Sequence, residues 1–269
     1  MIPLWLQRRP PRVGSNRFVL AICVGIGFLT ATTGCGSQSH PAPKTATRPP
    51  ATPAGGTYQL DLFKAEPRQG TAVVILVDTS GSMLQPVPDR GGQSRPKYLI
   101  ARDALTNIVE HTAAWKKQHP KANLQIAIYN FSSSVAEVLP MGEFEQSKAT
   151  AALERIPRPN GGTAIGRALE AGFKALYRSG CVRKFVVCVT DGENTSGPAP
   201  DWIARHLHAQ TGGEVELQFV AFDTSASQFK FLKDVNGHVV EASDGAKLHE
   251  ELRKIYQERI LVEKEEPSS

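Results

Sequence analysis

One stretch constrains the fold more than any other: Ala72-Val73-Val74-Ile75-Leu76-Val77, followed at once by Asp78-Thr79-Ser80-Gly81-Ser82-Met83. A short, unbroken apolar run rich in β-branched residues reads as a strand covered on both faces, as central strands of parallel sheets are. Such a strand needs helices above and below it, so the chain around it must alternate strand and helix. The run stops at a carboxylate and two hydroxyls. Asp78, Ser80 and Ser82 are therefore delivered, through a turn at Gly81, to the carboxyl end of a central strand. In open α/β sheets that edge is where ligands bind.

The remaining pattern supplies the alternation. After a Pro/Gly-rich loop (Gln85 to Pro96), Lys97 to Gln118 carries apolar residues at helical spacing and is closed by Pro120. Leu124 to Phe131 reads as a strand that pairs with Val135 to Leu139 as a hairpin, which supplies one antiparallel edge strand. Helices follow at Glu143 to Ile156 and Thr163 to Tyr177, then a buried strand at Lys184 to Thr190. Pro200 to Gln210 is helical, Val215 to Phe222 a strand, Ser227 to Val235 a short helix and His238 to Glu241 a last strand. Ala246 to Val262 closes the pattern as an amphipathic helix. The fold class is α/β: a Rossmann-like, doubly wound, mostly parallel sheet with one antiparallel edge strand and helices on both faces.

Ahead of this domain the composition changes twice. Residues 1–34 carry four arginines and no acidic residue, and Phe18 to Ala31 is an apolar run too short for a membrane-spanning helix. A basic start, a short apolar run and small residues match a secretory signal. Thr32-Thr33-Gly34 runs directly into Cys35, so the segment resembles a bacterial lipoprotein signal. The resemblance implies a lipid on Cys35 and a protein held at the cell envelope, on the periplasmic face or at the outer membrane. Residues 36–57 hold five prolines among Ser, Thr, Ala and Gly, the composition of a tether. Tyr58, Leu60 and Leu62 alternate with polar residues and predict a short edge strand within an extension at 58–70. The domain proper then spans 71–262, with a charged tail at 263–269. The formal charge of +5 comes mostly from the leader; without it, 27 basic residues face 26 acidic ones, no footprint for nucleic acid. Cys181 and Cys188 are separated by about 20 Å of extended chain, so no disulfide joins them.

Three distant segments end at the same sheet edge: Asp78-Thr79-Ser80-Gly81-Ser82, Asn160-Gly161-Gly162-Thr163 and Thr190-Asp191-Gly192-Glu193-Asn194. Two carboxylates and three hydroxyls, with no Cys or His among them, are hard oxygen ligands that suit Mg²⁺ or Mn²⁺ rather than Zn²⁺. In order and spacing these motifs resemble the von Willebrand factor type A domain, over roughly residues 70 to 260. The resemblance implies a metal ion-dependent adhesion site. Ser80 and Ser82 would ligate through their hydroxyls, and Thr163 directly or through water. Asp78 and Asp191 would act through water or by orienting the hydroxyls. A metal held by neutral hydroxyls stays electrophilic, so a partner's Asp or Glu side chain can complete its coordination.

Other chemistries fit less well. An aspartyl phosphatase needs a second Asp where Ser80 stands. Gly161 to Ala168 has the spacing of a phosphate-binding loop but carries Arg167 and Ala168 in place of its Lys and Ser/Thr. Ser80 lacks the nucleophile-elbow context. His206 and His208, two apart on a helix, face different ways. The expectation is a non-enzymatic, metal-dependent protein-binding module at the bacterial envelope, with Arg90 and Arg95 of the loop after the first strand as possible partner contacts. A scaffolding subunit of an envelope complex and a metal-dependent phosphohydrolase are the alternatives.

Overall fold

The computed structural model describes residues 58–262; the signal segment, Cys35, the tether and the charged tail lie outside the described residues. The central run extends further back than its apolar core and forms β1, Arg68–Asp78. A short hairpin follows, β2 (Pro86–Pro88) and β3 (Ser94–Pro96), then α1 (Lys97–Gln118), β4 (Leu124–Phe131), β5 (Val135–Glu143) and α2 (Gln146–Glu154). The second half runs α3 (Ile165–Ser179), β6 (Cys181–Thr190), α4 (Pro200–Thr211), β7 (Val215–Phe222), β8 (Gly237–Ala242) and α5 (Gly245–Ile255).

The main sheet has six strands in the order β5-β4-β1-β6-β7-β8. Every neighbouring pair is parallel except β4 with β5. β1 is therefore central and the chain winds away from it in both directions, first to β4 and β5 and then back across to β6, β7 and β8. This reversal makes the carboxyl end of β1 a topological switch point, where the flanking connections diverge and leave a crevice.

Alternate residues of β1 serve two cores. Val73, Ile75 and Val77 pack with Ile100 and Leu105 of α1, Leu153 of α2, and Leu248 and Leu252 of α5. Ala72, Val74 and Leu76 pack with Leu169 and Phe173 of α3 and Leu207 of α4. Seven consecutive residues, Ala72 to Asp78, are buried, as a strand covered on both faces requires. Cys181 and Cys188 are free and buried in β6.

Three local expectations change. Residues 58–67 form no strand. Their alternation marks one apolar side, but that side lies against helices: Tyr58, Leu60 and Leu62 pack with α3 and α4. The Gln210 side chain gives Leu60 the two bonds a neighbouring strand would have given, accepting from its N–H (3.0 Å) and donating to its carbonyl (2.6 Å). The loop Gln85 to Pro96 is ordered by the β2–β3 hairpin. The C-terminal helix is α-helical only to Ile255 and ends in a wider π-type turn, Tyr256–Ile260.

Candidate metal centre

Asp78 is the last residue of β1 and is fully buried. Both its oxygens are occupied: Oδ1 accepts from the Ser80 backbone N–H (2.7 Å) and Oδ2 from the Thr190 hydroxyl at the end of β6 (2.6 Å). Thr190 thus ties the two central strands together beneath the site. Burial pushes the Asp78 carboxyl up to about 6, against the opposing effect of these hydrogen bonds and with some help from the charge of Asp191.

Beyond Asp78 the backbone turns sharply at Gly81–Leu84, which brings Ser80 and Ser82 side by side, their Oγ atoms 3.0 Å apart. The Ser82 hydroxyl donates to Asp191 Oδ1 at 2.7 Å. Its single proton being used, Ser82 accepts from Ser80, and the proton chain runs Ser80 to Ser82 to Asp191. Lone pairs of both serine oxygens are thereby left without a protein donor. Two ligands at right angles around an octahedral Mg²⁺, each about 2.1 Å from the ion, lie about 3 Å apart. The serine pair already has that spacing, and the Ser82 proton is held on Asp191, leaving the Ser82 lone pairs for a cation. The residues present therefore fit a small divalent cation.

Thr163 is brought to the same edge by its neighbours. Gly81 N–H donates to the Gly161 carbonyl (3.0 Å), and Asn160 N–H to the Thr79 carbonyl (2.9 Å). Thr163 is clamped on its other side: its N–H donates to Thr195 Oγ1 (2.8 Å) and its carbonyl accepts from Thr195 N–H (2.9 Å). Three loops meet closely at the glycine pair. Gly161 has φ +72°, and a Cβ there would lie 2.8 Å from Ser133 Oγ; a Cβ on Gly162 would lie 2.6 Å from Ser196 Oγ. All five residues expected at the site thus converge at one sheet edge, four through direct side-chain or side-chain-to-backbone bonds among themselves and Thr163 through the backbone of its loop.

Two further residues belong to this cluster. Lys97, the first residue of α1, is almost fully buried. Its ammonium lies 3.0 Å from Asp191 Oδ2 and 2.9 Å from Asp223 Oδ2 just past β7, and donates to Gln85 Oε1 at 3.4 Å. Burial works against its charge, but Asp223 and Asp191 outweigh that and hold its pKa above the ordinary lysine value. A signal was present in the sequence: Lys97 stands in phase with Ile100, Ala101 and Ala104, on the buried stripe of α1. Asp223 carries φ +52°, a rare value for a residue with a side chain, and its N–H donates to the Ala242 carbonyl at 2.8 Å.

Of the remaining candidates, Arg95 is tied within its own neighbourhood, to Asp89 (2.5 Å) and Asp103 (2.8 Å), whereas Arg90 lies at the exposed tip of the hairpin. His206 packs in a cluster with Trp202 (tilted) and Tyr58 (edge-on) and bonds the Trp202 carbonyl at 2.7 Å. Among the described residues no group of three or more His, Cys, Asp or Glu is placed to hold a metal.

A doubly wound sheet with a serine–threonine–aspartate cluster at its switch point defines a class of ligand-binding α/β domain. The model of the von Willebrand factor type A domain matches residues 72–255, and the chain belongs to that family, whose members are typically protein-interaction modules. No curated protein matches the sequence. Among solved structures, a D319A mutant of the PilB minor pilin from Streptococcus sanguinis superposes with a TM-score of 0.57 at 14% identity, over 73% of this chain and 63% of that one. A von Willebrand factor type A protein from Catenulispora acidiphila gives 0.55 at 21% identity, over 70% of this chain and 42% of that one. The conserved hypothetical protein BatB from Bacteroides thetaiotaomicron gives 0.52 at 17%, over 70% of this chain and 100% of that one. The chain thus spans less than two thirds of the length of the first two. At these identities the likeness is one of fold.

Proposed function

We propose that this protein is a non-enzymatic, divalent-metal-dependent protein-binding module, held at the bacterial envelope by a lipid on Cys35. The observation that carries the reading is the serine pair, 3.0 Å apart, with the Ser82 hydroxyl donating to Asp191. Ser80 and Ser82 would hold Mg²⁺ or Mn²⁺ through their hydroxyls, together with Thr163. Asp191 fixes the hydroxyl protons, and Asp78 fixes the turn that carries Ser80. When bound, the ion supplies a Lewis-acidic position that a partner's Asp or Glu carboxylate can occupy. The hydroxyl-rich donor set leaves that position electrophilic. Envelope placement rests on the leader that ends at Cys35. It is in keeping with neighbours described as a minor pilin from Streptococcus sanguinis and a pilus adhesin from Lactobacillus rhamnosus GG.

A thermal titration with Mg²⁺ and Mn²⁺ tests the metal. Wild-type protein is expected to melt higher as either ion is added, and Asp78→Ala is not. Equal responses from the two proteins refute the metal site. Envelope extract passed over the protein with and without EDTA then tests capture of a partner. Retention that EDTA does not alter refutes metal-dependent binding.

A further inference from the structure

We propose that Lys97 sets the charge balance of the site, so that the metal-loaded edge accepts a carboxylate rather than repelling it. This rests on the metal reading above. Lys97 is a positioning residue: it touches Asp191 and Asp223 and would act on the ion through them.

The argument is one of charge. Asp78, Asp191 and Asp223 carry three negative charges when ionised, and Lys97 one positive, a sum of −2. A divalent cation brings that sum to zero. Without the lysine the loaded site would keep a net negative charge, and an incoming carboxylate would meet it at short range with little water between. A charge several ångströms away in a partly buried setting changes affinities by an order of magnitude or more. The lysine is built for this place. It is reached from α1 rather than from a site loop, its side chain is 3% exposed, and all its donors have partners in Asp191, Asp223 and Gln85. A lysine kept only for helix packing would leave its ammonium in water.

Its hold on Asp191 divides that carboxylate between two tasks. Oδ1 accepts from Ser82 and Oδ2 faces Lys97. Asp191 is thereby retained as the acceptor that orients the serine protons, and its charge is drawn away from the serine oxygens. The site binds metal less tightly than three unopposed carboxylates would, and in return the loaded site attracts an acid. Asp223, with 43% of its side chain exposed, is the counterweight. Neutralising it leaves Lys97 to act on Asp191 alone.

The two variants move the balance in opposite directions. With purified full-length protein in detergent, Mn²⁺ affinity is read from the electron paramagnetic resonance signal of the free ion. Acetate, as the carboxylate probe, is read at saturating Mn²⁺ from the loss of water-proton relaxation enhancement. Lys97→Met should bind Mn²⁺ about tenfold more tightly and acetate about tenfold more weakly, and Asp223→Asn should shift both the other way. Melting curves without metal accompany each. A Lys97→Met that weakens Mn²⁺ and acetate together, or changes neither, overturns the proposal and leaves Lys97 a packing ion pair. So does an Asp223→Asn that matches Lys97→Met in sign. Absence of Mn²⁺ binding by wild type is a separate result: it removes the metal reading itself.

Discussion

Replacing Asp78 by Asn should make the metal-free protein more stable while weakening its response to metal. Asp78 is fully buried, and burial pushes its carboxyl up to about 6 from an ordinary value of 3.8. A folded-state pKa raised in this way gives a contribution that is fully present below about 3.8 and lost as pH rises through about 6. At neutral pH the ionised group therefore costs the fold about 3 kcal/mol relative to its protonated form, a shift of about two units at 1.36 kcal/mol each. Asn imitates the protonated acid. Its carbonyl can accept from Ser80 N–H as Oδ1 does, and its amide can donate to the Thr190 oxygen, whose hydroxyl rotates to suit. For a domain of this size, about 3 kcal/mol corresponds to a rise in Tm of roughly 6–12 °C. The assay is paired thermal unfolding of wild type and Asp78→Asn in EDTA from pH 4 to 8, repeated with Mg²⁺. The advantage of Asn should be largest above pH 6 and vanish near pH 4, where wild type is itself protonated. With Mg²⁺ at pH 7.5 wild type should gain more stability than the variant. An Asn variant that melts below wild type in EDTA at pH 7.5 would refute the claim that this charge is held at a cost.

Further outcomes follow from other parts of the structure. Gly161→Ala should destabilise by about 1–2 kcal/mol from its left-handed backbone alone. More loss comes from displacing Ser133 Oγ, which accepts from Gly162 N–H, and metal binding should weaken as Thr163 shifts; urea unfolding checks the first and Mn²⁺ titration the second. Burial and nearby Arg90 push His249 down to about 4, so wild type should lose stability from this group as pH falls from about 6.5 to about 4. In His249→Gln that loss should disappear, read as a flatter Tm-against-pH curve once Asp78 is held constant as Asn. Cys35→Ser should release the protein from membranes into the soluble fraction, checked by sedimentation of envelope preparations; a variant that still sediments refutes the lipid anchor.

What made the site legible was that its residues close elements rather than fill them. Asp78 ends an apolar run, Asp191 follows another, and Thr163 stands between a glycine pair and a helix. Each therefore declares its place along the sheet edge from its own flanks. Parallel order brings the ends of β1 and β6 together, and backbone bonds between the loops bring Thr163 to them. Lys97 and Asp223 were harder to see because their meaning depends on a contact across 126 positions of chain, and local pattern makes Lys97 an ordinary helix start. Only its phase on α1 betrayed it. The segment 58–62 shows a different limit. Alternation reports that one side of an extended chain is apolar, but not whether the opposing surface is a strand or a groove between helices. Gln210, 150 positions away, decided that.

That same segment sets the path that force takes through the molecule. Tyr58 donates to Glu170, Leu60 is held by Gln210, and Ala65 N–H donates to the Tyr177 carbonyl (3.2 Å) before the chain enters β1. A pull applied N-terminal to Tyr58 would load these contacts before it reached β1. β1 itself is bonded along its length to both β4 and β6. Release of the strap alone would leave β1 paired on both sides, with Asp78 at its far end and Ser80 and Ser82 beyond it.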